Sequence, residues 1–229
     1  MNMKIRFIKK IIIGITGTVF LFVVVVIGNL IIAGKNESII SKGQPIEDFR
    51  ESNYALLIID IQEATTGDVS SYPFFKTHSE ELIKNINQLA EGFNVHNLPV
   101  VYIRSEITNP LINLINSSYA KGSPGARFDK RLKIVSDLEV VKKYKDSFRK
   151  TNLDSILTSK KVNVLYVVGL DAAECVNGTV MAAQNRNYKV NLVQEAILSK
   201  SKEMKDSMIV SFRQRGVTLI NMDSINLTR

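Results

Sequence analysis

The 229-residue chain has one cysteine, two histidines and no tryptophan, with only 5 prolines and 12 glycines. A single thiol closes no intrachain disulfide, and so little proline and glycine excludes a collagenous or low-complexity chain. Charge of one sign is also scarce once it is located. The formal net charge is +8, but Lys4, Arg6, Lys9, Lys10 and Lys35 carry part of it in a segment without any acid. From residue 36 onward 25 basic residues face 22 acidic ones. With neither a basic face nor paired Cys/His ligands, nucleic acid is not an expected partner.

One long apolar run is present. No charged residue occurs from Ile11 to Gly34, and these 24 positions span roughly 36 Å as a helix, enough to cross the hydrocarbon core. A buried core helix of this length would keep a polar face. A cleaved signal peptide would have a shorter apolar region ending in a small-residue site, which Ile32-Ala33-Gly34 is not. Residues 1–10 therefore read as a basic flank and 11–34 as one transmembrane anchor. The excess of positive charge before the run places the N-terminus in the cytoplasm and the rest of the chain outside it. A lone thiol with nothing to mispair suits such a compartment.

Residues 35–52 are polar, include Gly43 and Pro45, and read as a linker to one domain over 53–229. In that domain, strand-length apolar runs recur at 55–59, 100–103, 162–168, 190–193 and 217–220, with 138–141 a weaker one. Segments of helical period lie between them, at 81–93, 176–187 and 201–215. Strands apolar on both faces that alternate with helices imply a parallel sheet covered on both sides. The irregular stretch 109–132, with Gly122-Ser123-Pro124-Gly125, reads as a long functional loop or lid.

Ligands of open parallel sheets bind beyond the carboxyl ends of the strands. That rule selects Asp60 after the first run, Lys142 after the 138–141 run, and Cys175 after the turn beginning at Gly169. By composition alone, a lone Cys reads as a small buried hydrophobe and a Lys within Lys142-Lys143-Tyr144-Lys145 as solvated surface. Position argues otherwise for Cys175. At the entrance to a helix, unpaired amides and the helix dipole would lower its thiol pKa and could hold an oxyanion. Asp171 and Glu174 nearby oppose the thiolate, so a cation is needed to offset them.

The blocks ALLIIDIQEATTG (55–67), VVYIRSE (100–106), KKYKDSF (142–148) and VVGLDAAECVNGTVMAAQNRNYKVNLVQEAI (167–197) resemble the isochorismatase-like cysteine hydrolases, the superfamily that includes nicotinamidases and N-carbamoylsarcosine amidase. The resemblance runs over about 165 residues from Tyr54. It implies an α/β fold, a three-layer α/β/α sandwich with a six-stranded parallel sheet, here preceded by one transmembrane helix. It also implies an Asp-Lys-Cys triad of Asp60, Lys142 and Cys175. Lys142 is taken because it lies six positions before the aromatic Phe148, with Lys143 and Lys145 as the other lysines in reach. A cis peptide is implied at Leu170-Asp171, with the Asp171 and Cys175 amides as oxyanion hole.

The metal-dependent nicotinamidases carry Asp-x-His and further histidines after the first strand. Neither His78 nor His96 has that spacing, so no metal and no cofactor are expected. His78 is expected to cap or flank a helix beginning near Ser79, and His96 to lie in a helix-exit loop. Gln62, Arg104 and Phe148 are candidate substrate contacts. The implied activity is hydrolysis of a C–N bond in a small amide or ureido compound through a thioester. The alternatives are vinyl ether hydrolysis without covalent catalysis, against which Cys175 speaks, and a membrane-tethered binding domain without turnover. The expected partners are that small molecule and the lipid bilayer through residues 11–34, with a homo-oligomer left open.

Overall fold

The computed structural model describes residues 2–47 and 51–227. Helix α1 (Asn2–Glu37) contains the apolar run and leaves it unburied. The domain then alternates β1 (Tyr54–Ile59), α2 (Pro73–Val95), β2 (Val100–Ser105), α3 (Pro110–Ile115), β3 (Glu139–Lys142), α4 (Leu153–Ser159), β4 (Val164–Gly169), α5 (Cys175–Gln184), β5 (Lys189–Ile197), α6 (Lys202–Gln214) and β6 (Thr218–Ile220). All six strands pair in parallel in the order β3-β2-β1-β4-β5-β6. The order reverses between β1 and β4, which opens a crevice at their carboxyl ends.

The period-2 alternation of β1 explains the two cores. Ala55, Leu57 and Ile59 face Val176, Val180 and Phe212 from α5 and α6, and Leu56 and Ile58 face Leu82, Ile86 and Phe93 of α2. Both faces of the sheet are thus covered, as its near-continuous apolar strands require. Helix α2 starts earlier than the 81–93 pattern. Pro73 fits the first turn, where its missing N–H costs nothing, and Phe75 and Ser79 extend the buried stripe. His78 therefore lies within α2 rather than at its start, stacked on Phe74, with Nδ1 2.8 Å from the Phe74 carbonyl. His96 is the C-cap of α2, as the exit-loop reading has it.

The stretch expected as an irregular lid contains α3 and a 3-10 turn at Pro124–Ala126, capped by Asn109 and Ser123 side chains. Of the segment expected as a linker, 35–52, residues 48–50 lie outside the described residues, and the part around 40–46 is docked. Ile40 and Ile46 pack on the α5 side of the core. The Ser41 amide donates to Asp146 Oδ2 at 2.7 Å, and the Ile46 amide to the Arg186 carbonyl at 2.9 Å.

Candidate active site

Four adjacent strands each end in a residue of one polar cluster. Strand β1 stops at Asp60, whose φ of 55° leaves the extended region; Asp tolerates that left-handed conformation better than most residues. Strand β2 ends in Ser105, and β3 ends in Lys142, its register partner. After β4, the chain passes through Gly169 and the cis Leu170-Asp171 peptide to Cys175, the first residue of α5. Gly169 has φ 113°, and a Cβ there would stand 2.1 Å from the Ile59 carbonyl oxygen, so only glycine lets β4 turn this close to β1. Gly178 likewise lets α5 approach the Lys145 backbone, where a Cβ would meet the carbonyl at 3.0 Å. That close approach draws the helix of Cys175 toward the chain that carries Lys142.

Lys142 Nζ lies 2.8 Å from Asp60 Oδ2, 2.7 Å from Ser105 Oγ and 3.1 Å from Cys175 Sγ. Ser105 Oγ in turn donates to Asp60 Oδ1 at 3.0 Å. Burial works against the Lys142 ammonium, but the attraction of Asp60 and of the Cys175 sulfur overrides it and raises its pKa. Lys142 is a fixed cation at neutral pH. For Cys175, burial and then the Asp60 charge raise the thiol above its ordinary range, with Lys142 pulling the other way. The helix entrance alone would favour the thiolate, whereas burial and the Asp60 carboxylate favour the protonated thiol.

The two acids beside Cys175 are each dealt with locally. Glu174 is buried enough to favour protonation, yet ion pairs with Lys145 and Lys200 hold it below the carboxylate range. Asp171 is pushed up by burial; Ser199 Oγ donates to its Oδ1 at 2.5 Å and the Ala173 amide does so at 2.9 Å.

These groups form the floor of a cavity of about 520 Å³. Tyr72, Phe75, Ile107, Tyr119 and Leu170 make its walls, and Lys143, Lys145, Glu174 and Lys200 part of its rim. Ser105 and Tyr119 were missed in the sequence. Ser105 was legible in principle, since it ends a strand on the same edge as Asp60. Tyr119, whose phenol burial and then Asp60 push upward, lies in irregular chain with no pattern to mark it.

The three candidate substrate contacts lie elsewhere. Gln62 is fully buried behind the cavity, its Nε2 donating to the Ser105 and Ala126 carbonyls and its Oε1 accepting from the Ser105 amide. Arg104 points to the other side of β2, paired at 2.5 Å with both Glu106 and Glu139, because alternate residues of a strand face opposite ways. Phe148 is buried in the core, tilted against Tyr188 and under the Arg186 guanidinium. Gln62→Ala should therefore cost about 1 to 3 kcal/mol of stability by orphaning buried backbone groups, read by chemical denaturation. Arg104→Ala strands the Glu106 carboxylate, whose side chain is 14% exposed, and should cost about 1 to 3 kcal/mol of stability by the same measurement.

Among the described residues no group of three or more His, Cys, Asp or Glu is disposed to hold a metal ion.

A six-stranded parallel sheet between helical layers, with an acid, a lysine and a thiol gathered over its carboxyl edge, defines a three-layer α/β/α protein with a strand-end site. The isochorismatase domain matches residues 54–224, and the chain belongs to that family. It is 28% identical over 156 residues to an N-carbamoylsarcosine amidase from Arthrobacter sp., a match covering 62% of this chain and 58% of that protein; the chain thus spans less than two thirds of that relative's length. Solved structures share the fold. One is an isochorismatase family protein from Desulfovibrio vulgaris, with TM-score 0.68 and 21% identity, covering 76% of this chain and 96% of that one. Another is an N-carbamoylsarcosine amidase from Thermoplasma acidophilum, with TM-score 0.64 and 24% identity over 76% and 99% of the two chains. A nicotinamidase from Bacillus subtilis gives TM-score 0.63 and 18% identity over 73% and 98%.

Proposed function

We propose that the protein is a membrane-anchored cysteine hydrolase that cleaves a C–N bond of a small amide or ureido compound through a thioester on Cys175. The observation that carries this reading is the convergence of Asp60 and Cys175 on the Lys142 ammonium, each within hydrogen-bond reach of it, in the lining of one cavity. Kinship with N-carbamoylsarcosine amidases supports the bond type.

In this mechanism the neutral thiol attacks the substrate carbonyl carbon while its proton passes to the Asp60 carboxylate. Lys142 orients that carboxylate and stabilises sulfur as it gains charge. The carbonyl oxygen becomes an oxyanion facing the Asp171 and Cys175 amides; the start of α5 adds its dipole. Collapse expels ammonia or an amine, which takes the proton from Asp60 and leaves the acyl or carbamoyl group on sulfur. Water, deprotonated by Asp60, then attacks the thioester; the acid product departs and the thiol regains its proton.

The test is ammonia release by the full chain in detergent from a panel of primary amides and ureido acids. Turnover of at least one member is expected, and silence across the panel would remove the amidase reading.

The anchor has its own support: the helix from Arg6 to Glu37 has a mean hydropathy of 2.8 in its most apolar window, of which no residue is buried. With the basic flank cytoplasmic, a reporter fused after Arg229 should be active only outside the cytoplasm, and the chain should resist extraction by high salt. Release by salt alone would contradict the anchor, and a cytoplasmically active reporter would contradict the orientation.

A further inference from the structure

The end of α1 is part of the cavity. Ala33, Asn36 and Glu37 line it together with Asn109 and Ile112 of the α3 region. The two helices are joined at 2.9 Å by Asn109 Nδ2 donating to Asn29 Oδ1, and Arg149 donates to the Asn36 carbonyl. Val26, Gly28, Asn29, Leu30 and Ala33 are the partly covered positions of α1, and Val26, Asn29, Leu30 and Ala33 among them have the spacing of one helical stripe. The rest of its apolar surface is open, as at Phe20 and Ile32.

Length places this junction relative to a bilayer. A hydrocarbon core of about 30 Å takes about 20 residues, which from Ile11 ends near Leu30. Asn29 and its partner Asn109 then stand at the boundary, and Ala33 to Glu37 in the headgroup layer. Helix α3 follows Asn109 directly and exposes Leu114 and Ile115, at 77% and 66%, next to α1. A short helix with bare apolar side chains beside a membrane span suits the interface plane. The cavity that holds Asp60, Lys142 and Cys175 is also lined by the apolar side chains of Ala33 on α1 and Ile107 and Ile112 at α3.

We infer that the cavity opens on the membrane–water interface and takes an amide- or ureido-bearing amphiphile from the bilayer, its polar head at Cys175 and its apolar tail leaving past Ala33 of α1 and Ile112 of α3. The inference rests on the membrane-anchored hydrolase reading above and names its substrate class. Anchoring then has a catalytic purpose: it holds the mouth where such a substrate is concentrated.

The test uses the full chain reconstituted in phosphatidylcholine–phosphatidylglycerol vesicles, in two arms. In the first, a bimane fluorophore on Leu114→Cys, in a Cys175→Ala background, should be quenched several-fold more by lipid spin-labelled near the acyl carbonyl than one on Val95→Cys. Val95 is exposed at the far end of α2. Equal quenching would overturn the inference whatever the enzyme hydrolyses. In the second, kcat/KM should rise on the order of 100-fold from butanamide to dodecanamide as added methylenes are buried. Ala33→Trp, which crowds the α1 wall, should remove that gain, bringing the ratio of dodecanamide to butanamide kcat/KM close to one. Equal turnover of both amides, indifferent to Ala33→Trp, would overturn the inference and leave the amidase reading standing. Silence with every amide would overturn the amidase reading and the substrate class, while the first arm still decides the orientation of α3.

Discussion

Cys175→Ala should reduce amide hydrolysis by at least about 10⁴-fold, because the only nucleophile in the proposed mechanism is lost. The protein should remain folded. The substituted side chain is small, and the Lys142–Asp60 pair with its Ser105 hydrogen bonds does not depend on sulfur. Measurement of ammonia release beside a denaturation curve separates the two effects. The wild-type thiol, raised by burial and Asp60, also adds a pH signature. The unfolded thiol ionises first as pH rises past its ordinary range, so folding stability contributed by the protonated, half-buried thiol is complete below that range and declines through it. Cys175→Ala should remove that alkaline decline.

Lys142→Met should be the most destabilising change at the site. It leaves the Asp60 carboxylate, 5% exposed, with the Ser105 hydroxyl as its remaining donor, and breaking a buried ion pair from one side costs about 3 to 5 kcal/mol. The same change removes the one influence that lowers the Cys175 pKa most directly, so alkylation of the thiol by iodoacetamide at neutral pH should slow. Lys143→Ala and Lys145→Ala should alter that rate little. Lys145 is held by Glu174 at the rim, and Lys143 is exposed. Because a neutral pair avoids the stranded charge, Asp60→Asn combined with Lys142→Met should recover much of the stability and none of the turnover. An alkylation rate that followed Lys145 instead would show that the wrong lysine has been placed beside the thiol.

The parts of this architecture that were legible in the sequence are those governed by periodicity and strand ends. Residues 55–59 are apolar on both faces because both faces are covered, and the residue after each such run lies at the carboxyl edge by construction of a parallel sheet. Asp60 and Lys142 follow from that rule, and the placement of Cys175 follows from the turn into α5. Side-chain direction was harder to see. Gln62 and Arg104 are close to strand ends, but one turns behind the cavity to satisfy backbone groups and the other faces away across the pleat. Phe148 is aromatic in a chemically suggestive block and is simply core. The short helices α3 and α4 carry too few turns for a period to show. The thiol pKa depends on burial and on the Asp60 distance, neither of which is encoded locally. Nor could spacing reveal that residues 38–46 would dock beside Arg186 and so bring the end of α1 to the cavity.

The central claim is a covalent bond between substrate carbon and Cys175. It is tested most directly by mixing the full chain with an amide or ureido compound that it turns over, quenching in acid during the steady state, and measuring the mass of the peptide containing Cys175. The expected result is a fraction of that peptide carrying the acyl or carbamoyl group, lost on treatment with hydroxylamine and absent from Cys175→Ala. An unmodified peptide, together with ammonia release that persists in Cys175→Ala, would contradict it.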